Sequence, residues 1–425
     1  MNNYLCLILA AALLLSGCAA QKGSGNVEHH TAVTSDTLFV EQVVNLPEDF
    51  IFGMDASCVP ALERSGVKYY DHDGREKDVY RILAENGINY IRVRIWNDPF
   101  DEAGNGYGGG NCDIENALAI GRRATENGMK LLVNFHYSDF WADPAKQMVP
   151  KAWRGLKLEQ KCDALYDYTS SALQKLTDEG VQIGMVQVGN ETNGSLCGEK
   201  DWASICRLLS AGARAVRESC PDALVAVHFA NPEIPGSYET YARELSAHQV
   251  DYDVFASSYY PFWHGSQENL AQLLSKIALT YDKKVMVAET SYAYTPEDSD
   301  FSHNTIGAGA EVQGYPFTQQ GQADLVRDVI DTVANKTENG IGVFYWEGTW
   351  ISAGGSSWAE NSALWEKYGS GWASSYAAQY DPDDAGKWYG GCAVDNQAFF
   401  DSKGHALESL KVFSLVRHGN TPTAE

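Results

Sequence analysis

From Phe50 onward the chain repeats one pattern. Short apolar runs rich in Val, Ile, Phe and Tyr alternate with stretches whose apolar positions recur at helical spacing. The runs are Phe50–Ser57, Tyr90–Trp96, Lys130–Ser138, Ile183–Glu191, Ala223–Asn231, Tyr252–Pro261, Lys284–Tyr292 and Ile341–Trp350. Between them the spacing predicts helices over Asp78–Asn86, Glu115–Asn127, Leu165–Glu179, Trp202–Ser219, Tyr238–His248, Leu270–Tyr281 and Gln322–Lys336. Gly87, Gly128 and Gly180 stand just past three of these helices, where a left-handed residue ends a helix. An eighth helix is weaker; Glu408–Leu415 is its best candidate, after a long loop from Ser352 to His405. Strands that are apolar on both faces and alternate with helices build a parallel sheet. Eight repeats favour α/β architecture as a single (β/α)8 TIM barrel, with long loops after strands 7 and 8. No GxGxxG follows the first strand, so a dinucleotide fold is unsupported.

The N-terminus reads differently. Leu5–Leu15 is an apolar run too short to cross a bilayer, and it leads into Leu15-Ser16-Gly17-Cys18. That ending resembles a bacterial lipobox, although Met1–Gly17 carries no Lys or Arg. The resemblance implies a signal peptide over 1–17 and lipidation of Cys18. Residues 18–45 read as a flexible tether and 46–425 as the catalytic domain. An exported lipoprotein follows, anchored to the bacterial membrane, with the outer membrane expected and the face left open. The segment Gln21–Gly25 has no acidic run that would mark surface export.

Composition adds limits. The 425 residues carry 32 Lys and Arg against 56 Asp and Glu, a net charge of −24. A field of that sign repels nucleic acid and suits a neutral substrate. A monomer is expected. Seven Cys remain beyond Cys6 and Cys18, with no Cys-x-x-Cys pair, so a zinc ribbon is unsupported and the pairing stays open. Gly104–Asn111 has no Gly-Lys-Ser/Thr and reads as a mobile substrate loop, with Asn111-Cys112-Asp113 capping the next helix. No His-Glu-x-x-His or Gly-x-Ser-x-Gly is present.

A barrel places its active site at the C-terminal ends of its strands. The polar residues there are Asp55, Arg92, Arg94, Asn97, Asp98, His136, Asp139, Asn190, Glu191, His228, Asn231, Tyr259, Tyr260, Glu289, Trp346 and Glu347. Glu191 and Glu289 end the fourth and seventh strands, roughly across the mouth from each other. Two such carboxylates are the apparatus of glycoside hydrolysis, one protonated and one ionised. Arg92 and Tyr260 can donate hydrogen bonds to Glu289, and Asn190 can bond a sugar 2-hydroxyl.

The motifs are narrower than the fold. They include Arg92–Pro99, Phe135-His136-Tyr137-Ser138-Asp139-Phe140-Trp141-Ala142-Asp143-Pro144, Val188–Glu191, Tyr259–Phe262, Val287–Thr290 and Phe344–Glu347. In that order the chain resembles glycoside hydrolase family 53, the endo-β-1,4-galactanases, within the clan A retaining glycosidases. The resemblance implies Glu191 as acid/base and Glu289 as nucleophile in a retaining double displacement. Trp346 would offer a face to the sugar ring, and His136, Asp139, Trp141, His228 and Asn231 would line the groove. The substrate would be β-1,4-galactan and its oligosaccharides. The rival readings are another clan A glycanase, such as a mannanase or cellulase, and a non-catalytic surface glycan-binding lipoprotein.

Asp298-Ser299-Asp300-Phe301-Ser302-His303-Asn304 puts oxygen donors at alternate positions, as in the first half of an EF-hand loop. It lacks the Gly and Glu of a full EF-hand. The family likeness implies a structural Ca²⁺ held by Asp298, Asp300, Asn304 and Asp395, with carbonyls from Ser302 and Cys392. Position 5, often His in relatives, is Ser302 here.

Overall fold

A computed structural model describes residues 38–355, 357–382, 385 and 389–420. The eight strands are β1 Ile51–Asp55, β2 Tyr90–Ile95, β3 Lys130–Phe135, β4 Ile183–Val188, β5 Leu224–Phe229, β6 Val254–Ser258, β7 Lys284–Thr290 and β8 Gly340–Tyr345. They pair in parallel, in chain order, and β1 pairs with β8 to close the barrel. The expected TIM barrel is therefore present.

Alternation along each strand explains what fills it. On β2, Ile91, Val93 and Ile95 face the helices, while Arg92 and Arg94 are fully buried on the other face. On β4, Val186 and Val188 face out, and Met185 and Gln187 face in. The inward sets change upward from apolar to polar: Leu132 then Asn134, Met185 then Gln187, Ala226 then His228, Ala256 then Ser258. Ile51, Met286 and Phe344 complete the apolar floor. Gly53 admits the Phe344 ring, since a Cβ there would lie 1.9 Å from it.

The helices are α1 Val59–Arg64, α2 Val79–Glu85, α3 Ile114–Glu126, α4 Leu158–Asp178, α5 Trp202–Ser219, α6 Ser237–Ala247, α7 Gln267–Tyr281, α8 Gln319–Asn335, α9 Trp358–Tyr368 and α10 Val412–Leu415. Gly87, Gly128 and Gly180 follow the ends of α2, α3 and α4 with φ of 98°, 78° and 77°. Asp113 caps α3 by accepting from the Asn116 N–H. The segment Glu408–Leu415 is a 3-10 turn running into α10.

Four expectations need correction. Helix α4 starts seven residues before Leu165. The stretch after Ser352 holds α9 rather than loop alone. Within the Gly-rich segment Tyr107–Gly110 are buried, and Gly109 and Gly110 donate to the carbonyls of Gly371 and Gly369 at 2.7 and 2.8 Å, while Gly104 is exposed. The fold also begins before residue 46. Leu38, Val40 and Val43 are buried, Phe39 exchanges hydrogen bonds with Gln320 of α8, and Val40 pairs with Asn420.

The signal peptide, Cys18 and the first part of the tether lie outside the described residues. Among the described residues no helix is long and apolar enough to cross a membrane. All seven described Cys are free thiols.

Candidate active site

The barrel mouth gathers an ordered set of charges. Glu289 on β7 is 6% exposed. One of its oxygens lies 2.8 Å from Arg92 Nη2, and the other accepts from the Tyr260 hydroxyl at 3.0 Å. An anion fits that pair of donors. Arg92 is spread over four partners. It also reaches Asp55 at 3.1 Å, Asn190 Oδ1 at 2.9 Å and Gln187 Oε1 at 3.2 Å. Arg94 pairs with Asp55 and Glu347 and stands 4.4 Å over the Trp141 ring.

Glu191 follows β4 with its backbone in the left-handed region, at φ 47°. It faces the same cavity as Glu289. Burial first, and the charge of Glu289 second, push its pKa well above the usual carboxylate range. Ser258 Oγ donates to Glu191 Oε1 at 2.5 Å. The two carboxylates thus sit in opposed environments. One is pushed toward its protonated form, and the other is clasped by cationic and phenolic donors.

Asn190 Oδ1 is taken by Arg92 and by Asn134 Nδ2, the latter at 3.0 Å. Its Nδ2 donates to the Ala142 carbonyl at 2.9 Å, and one N–H remains for the cavity it lines. His136 also lines the cavity. Its Nδ1 meets two N–H donors, Trp96 Nε1 at 3.1 Å and the Ala142 amide at 3.2 Å. Nδ1 therefore accepts, and Nε2 carries the ring's proton. Burial and the charges of Arg94 and Arg92 hold His136 neutral. One wall is aromatic: Trp141, Trp346 and Trp372 line it, and Trp141 stacks on Trp372 at 4.4 Å. Flat faces of this kind stack on sugar rings.

Three residues expected at the groove stand elsewhere. Asp139 is fully buried, and its carboxylate accepts from the backbone N–H groups of Asp98 and Lys151 at 3.0 and 2.6 Å. Burial pushes its pKa up to about 6. It ties two loops together. His228 is buried behind Glu191, bonded to Gln187 and Ser258. Asn231 bonds Asn193 and Glu233 outside the cavity lining. Trp263, Ser291 and Gln397 line the cavity without having been expected there, and so does Trp372, while Gln187 and Ser258 stand behind it. Gln187 and Ser258 are polar residues at inward positions of apolar strands, and that interruption was the available signal. Trp372 is placed by long-range packing alone, and no local pattern marks it.

The loop after β7 meets the segment after α9 beside this cavity. Donor oxygens of Asp298, Asp300 and Asp395 all lie within 4.8 Å of one another. Asp395 Oδ1 and Asn304 Oδ1 are buried without a hydrogen-bond partner. Asp300 also accepts from the Ser302 and Cys392 backbone N–H groups, at 2.6 and 2.8 Å. Crowded carboxylates and orphaned oxygens fit a hard cation with oxygen ligands. Thr305 and Val394, next to this cluster, line the active-site cavity.

The sequence of a known family matches this chain over residues 51–413, the description being glycosyl hydrolase family 53. The chain is 55% identical over 426 residues to an endo-β-1,4-galactanase of Bacillus subtilis, covering 99% of both chains. It is 34% identical over 342 residues to an arabinogalactan endo-β-1,4-galactanase of Cellvibrio japonicus, covering 77% of this chain and 85% of that one. The family 53 catalytic domain of Ignisphaera aggregans superposes with a TM-score of 0.80 at 38% identity, covering 89% of this chain and 99% of that domain. With its barrel, its paired carboxylates and these matches, the chain belongs to glycosyl hydrolase family 53 and is a glycoside hydrolase.

Proposed function

We propose that this protein is an endo-β-1,4-galactanase that cuts β-1,4-galactan with retention of configuration. One observation carries the mechanism. Glu289 is clasped by Arg92 and Tyr260, while Glu191, facing the same cavity, keeps its proton through burial and through the charge of Glu289. Glu289 attacks the anomeric carbon. The glycosidic C–O bond breaks as Glu191 gives its proton to the leaving oxygen. Water then attacks the glycosyl-enzyme, Glu191 takes the water proton, and the ester to Glu289 breaks. Asn190 Nδ2 is available to a sugar hydroxyl, and Trp346 to a ring face. The galactan specificity rests on the family and on the identity to the Bacillus subtilis enzyme.

The same reading includes two finer parts. Cys18, after Leu15-Ser16-Gly17, carries a lipid that anchors the exported chain. A structural Ca²⁺ sits between Asp298, Asp300, Asn304 and Asp395, with carbonyls of Ser302 and Cys392; it supplies positive charge to crowded carboxylates and takes no part in bond breaking.

Reducing-sugar release from unbranched β-1,4-galactan tests the activity, with β-1,4-mannan and cellulose as controls. Release from galactan alone, with anomeric retention by proton NMR of early products, is the expected result. Release from a control glycan instead would discard the substrate and keep the mechanism. Binding without release from any glycan would return the protein to the glycan-binding class.

A further inference from the structure

Gln187, His228 and Ser258 are fully buried on β4, β5 and β6, and none of them lines the cavity. Their hydrogen bonds run in a single direction. Arg92 can only donate, and its Nε and Nη2 reach Gln187 Oε1 at 3.3 and 3.2 Å. The NH₂ group of Gln187 therefore faces the other way, 3.0 Å from His228 Nδ1. The backbone N–H of Glu191 points at the same ring nitrogen, at 3.3 Å. The Gln187 Nε2 also lies 2.8 Å from Asn134 Oδ1, 3.0 Å from the Gly189 carbonyl and 3.2 Å from Asn190 Oδ1, so its two N–H bonds are shared. The Glu191 N–H, which can only donate, makes Nδ1 an acceptor and puts the ring's proton on Nε2. Asn190 Oδ1 also lies 3.3 Å from Nδ1, but it is already filled by N–H groups of Arg92 and Asn134. Burial and the charge of Arg92 keep His228 neutral. Nε2–H then donates to Ser258 Oγ at 2.9 Å. That bond turns the Ser258 proton toward Glu191 Oε1, 2.5 Å away.

We infer that Gln187, His228 and Ser258 are positioning residues forming a one-way hydrogen-bond chain, which holds Oε1 of Glu191 as a permanent acceptor and leaves the transferable proton on Oε2. The inference rests on the reading of Glu191 as acid/base. No proton passes along the chain. In the first step Oε2–H breaks and the proton goes to the leaving oxygen. In the second, Oε2 takes a proton from water. The Ser258 bond persists through both and steadies the carboxylate between them. Arg92 touches Glu289 through the same Nη2 that reaches Gln187, so one guanidinium anchors the nucleophile directly and the acid/base through three neutral groups.

The test is the titration of Glu191 in protein carrying ¹³C-labelled Glu side chains, with Glu191→Gln to assign the signal. Glu289 of β7, Asp143 of the loop before α4, Arg92 of β2, Tyr260 after β6 and Tyr238 of α6 also act on Glu191, and Ser258→Ala alters none of them. Ser258→Ala is expected to move the Glu191 midpoint to higher pH, because the lost donor favoured the anion. It should lower kcat on galactan about tenfold, the worth of one hydrogen bond to a charged group, with KM little changed. Ser258→Thr, which keeps the hydroxyl, should restore both. His228→Asn, which removes the ring donor, should move the midpoint in the same direction by less. An unmoved midpoint in Ser258→Ala, or a Thr variant no better than Ala, overturns the inference and leaves Ser258 as packing. The midpoint is read without substrate. If it moves while wild-type protein releases nothing from galactan, the substrate reading falls and the chain stands.

Discussion

Asp55, Glu289 and Glu347 are buried beside Arg92 and Arg94, whereas Asp298, Asp300 and Asp395 crowd together without such partners. Among the described residues no Lys or Arg pairs with the second group. The exposed His303 stands 3.7 Å from Asp298. Burial costs a carboxylate several kcal/mol unless charge and hydrogen bonds offset it. In the first group the chain's own guanidiniums provide that offset. In the second, burial pushes the Asp300 pKa up to about 7 and raises that of Asp395. One cluster is balanced within the polypeptide, and under the proposed reading the other would be balanced by Ca²⁺. Asp55, Glu289 and Glu347 should therefore keep their arrangement under any ionic condition that preserves the fold. The loops carrying Thr305 and Val394 into the cavity should depend on the ion.

The largest effects come from breaking the self-contained cluster. Glu289→Gln should cost about 10⁴-fold or more in kcat, as removal of a nucleophile does. The amide oxygen can accept from Tyr260 or from Arg92 but not from both, and Asp55 still pairs with Arg92, so the loss of stability should be smaller than on removing Arg92. The same variant removes the negative charge that helps hold the proton on Glu191, so Glu191 should titrate at lower pH in a ¹³C spectrum. An unchanged midpoint would mean the two carboxylates do not sense each other. Arg92→Met leaves Asp55 and Glu289 buried without their shared cation. It should lower the unfolding free energy by about 3–5 kcal/mol, read from denaturant curves. Arg92→Lys should recover only part, because one ammonium cannot reach all four partners. A Met variant as stable as the wild type would refute the charge balance.

The two clusters also differed in how far they could be read from sequence. The strands were legible because burial on both faces forces unbroken apolar runs. Glu191 and Glu289 were legible because each ends such a run, and the barrel places strand ends at the site. Facing was not legible. Asp139 ends its strand as Glu191 does, yet its carboxylate turns to the Asp98 and Lys151 amides, a choice made by a loop 12 residues away. His228 belonged to the site but behind it, since a histidine on a strand shows neither depth nor tautomer. Helix α9 was read as loop, and its modest length and mixed surface gave little periodic signal. The cluster of Asp298, Asp300 and Asp395 joins two segments whose contacts span 92 and 96 residues in sequence, and only the first segment carried a local pattern.

Intermediate effects should come from the ion-dependent cluster, and their sign should reverse with conditions. Chelation should lower the melting temperature, and Ca²⁺ at a hundredfold excess over its Kd should contribute about 2.7 kcal/mol of stability. Asp300→Asn removes one of three crowded negative charges. Without Ca²⁺ it should therefore raise the melting temperature, and with Ca²⁺ it should lower it relative to the wild type. A variant that destabilises equally in chelator and in Ca²⁺ would show that Asp300 acts only through its bonds to Ser302 and Cys392. In chelated wild-type protein KM should rise more than kcat falls, because Thr305 and Val394 line the cavity and take no part in the chemistry.

The smallest effect isolates one uncharged ligand. Asn304 Nδ2 donates to the Glu297 carbonyl at 3.1 Å, while Oδ1 is buried with no partner. An orphaned oxygen in a folded loop is a cost, and a bound cation turns it into a ligand. Asn304→Ala removes both features. In chelator the lost Nδ2 bond and the relieved Oδ1 oppose each other, so stability should change by less than about 1 kcal/mol. With Ca²⁺ the relief is absent, because Oδ1 was never unpaired. Calcium affinity by calorimetry should then fall about tenfold, equivalent to about 1.4 kcal/mol. An affinity equal to that of the wild type would remove Asn304 from the ligand set and leave the three carboxylates to hold the ion.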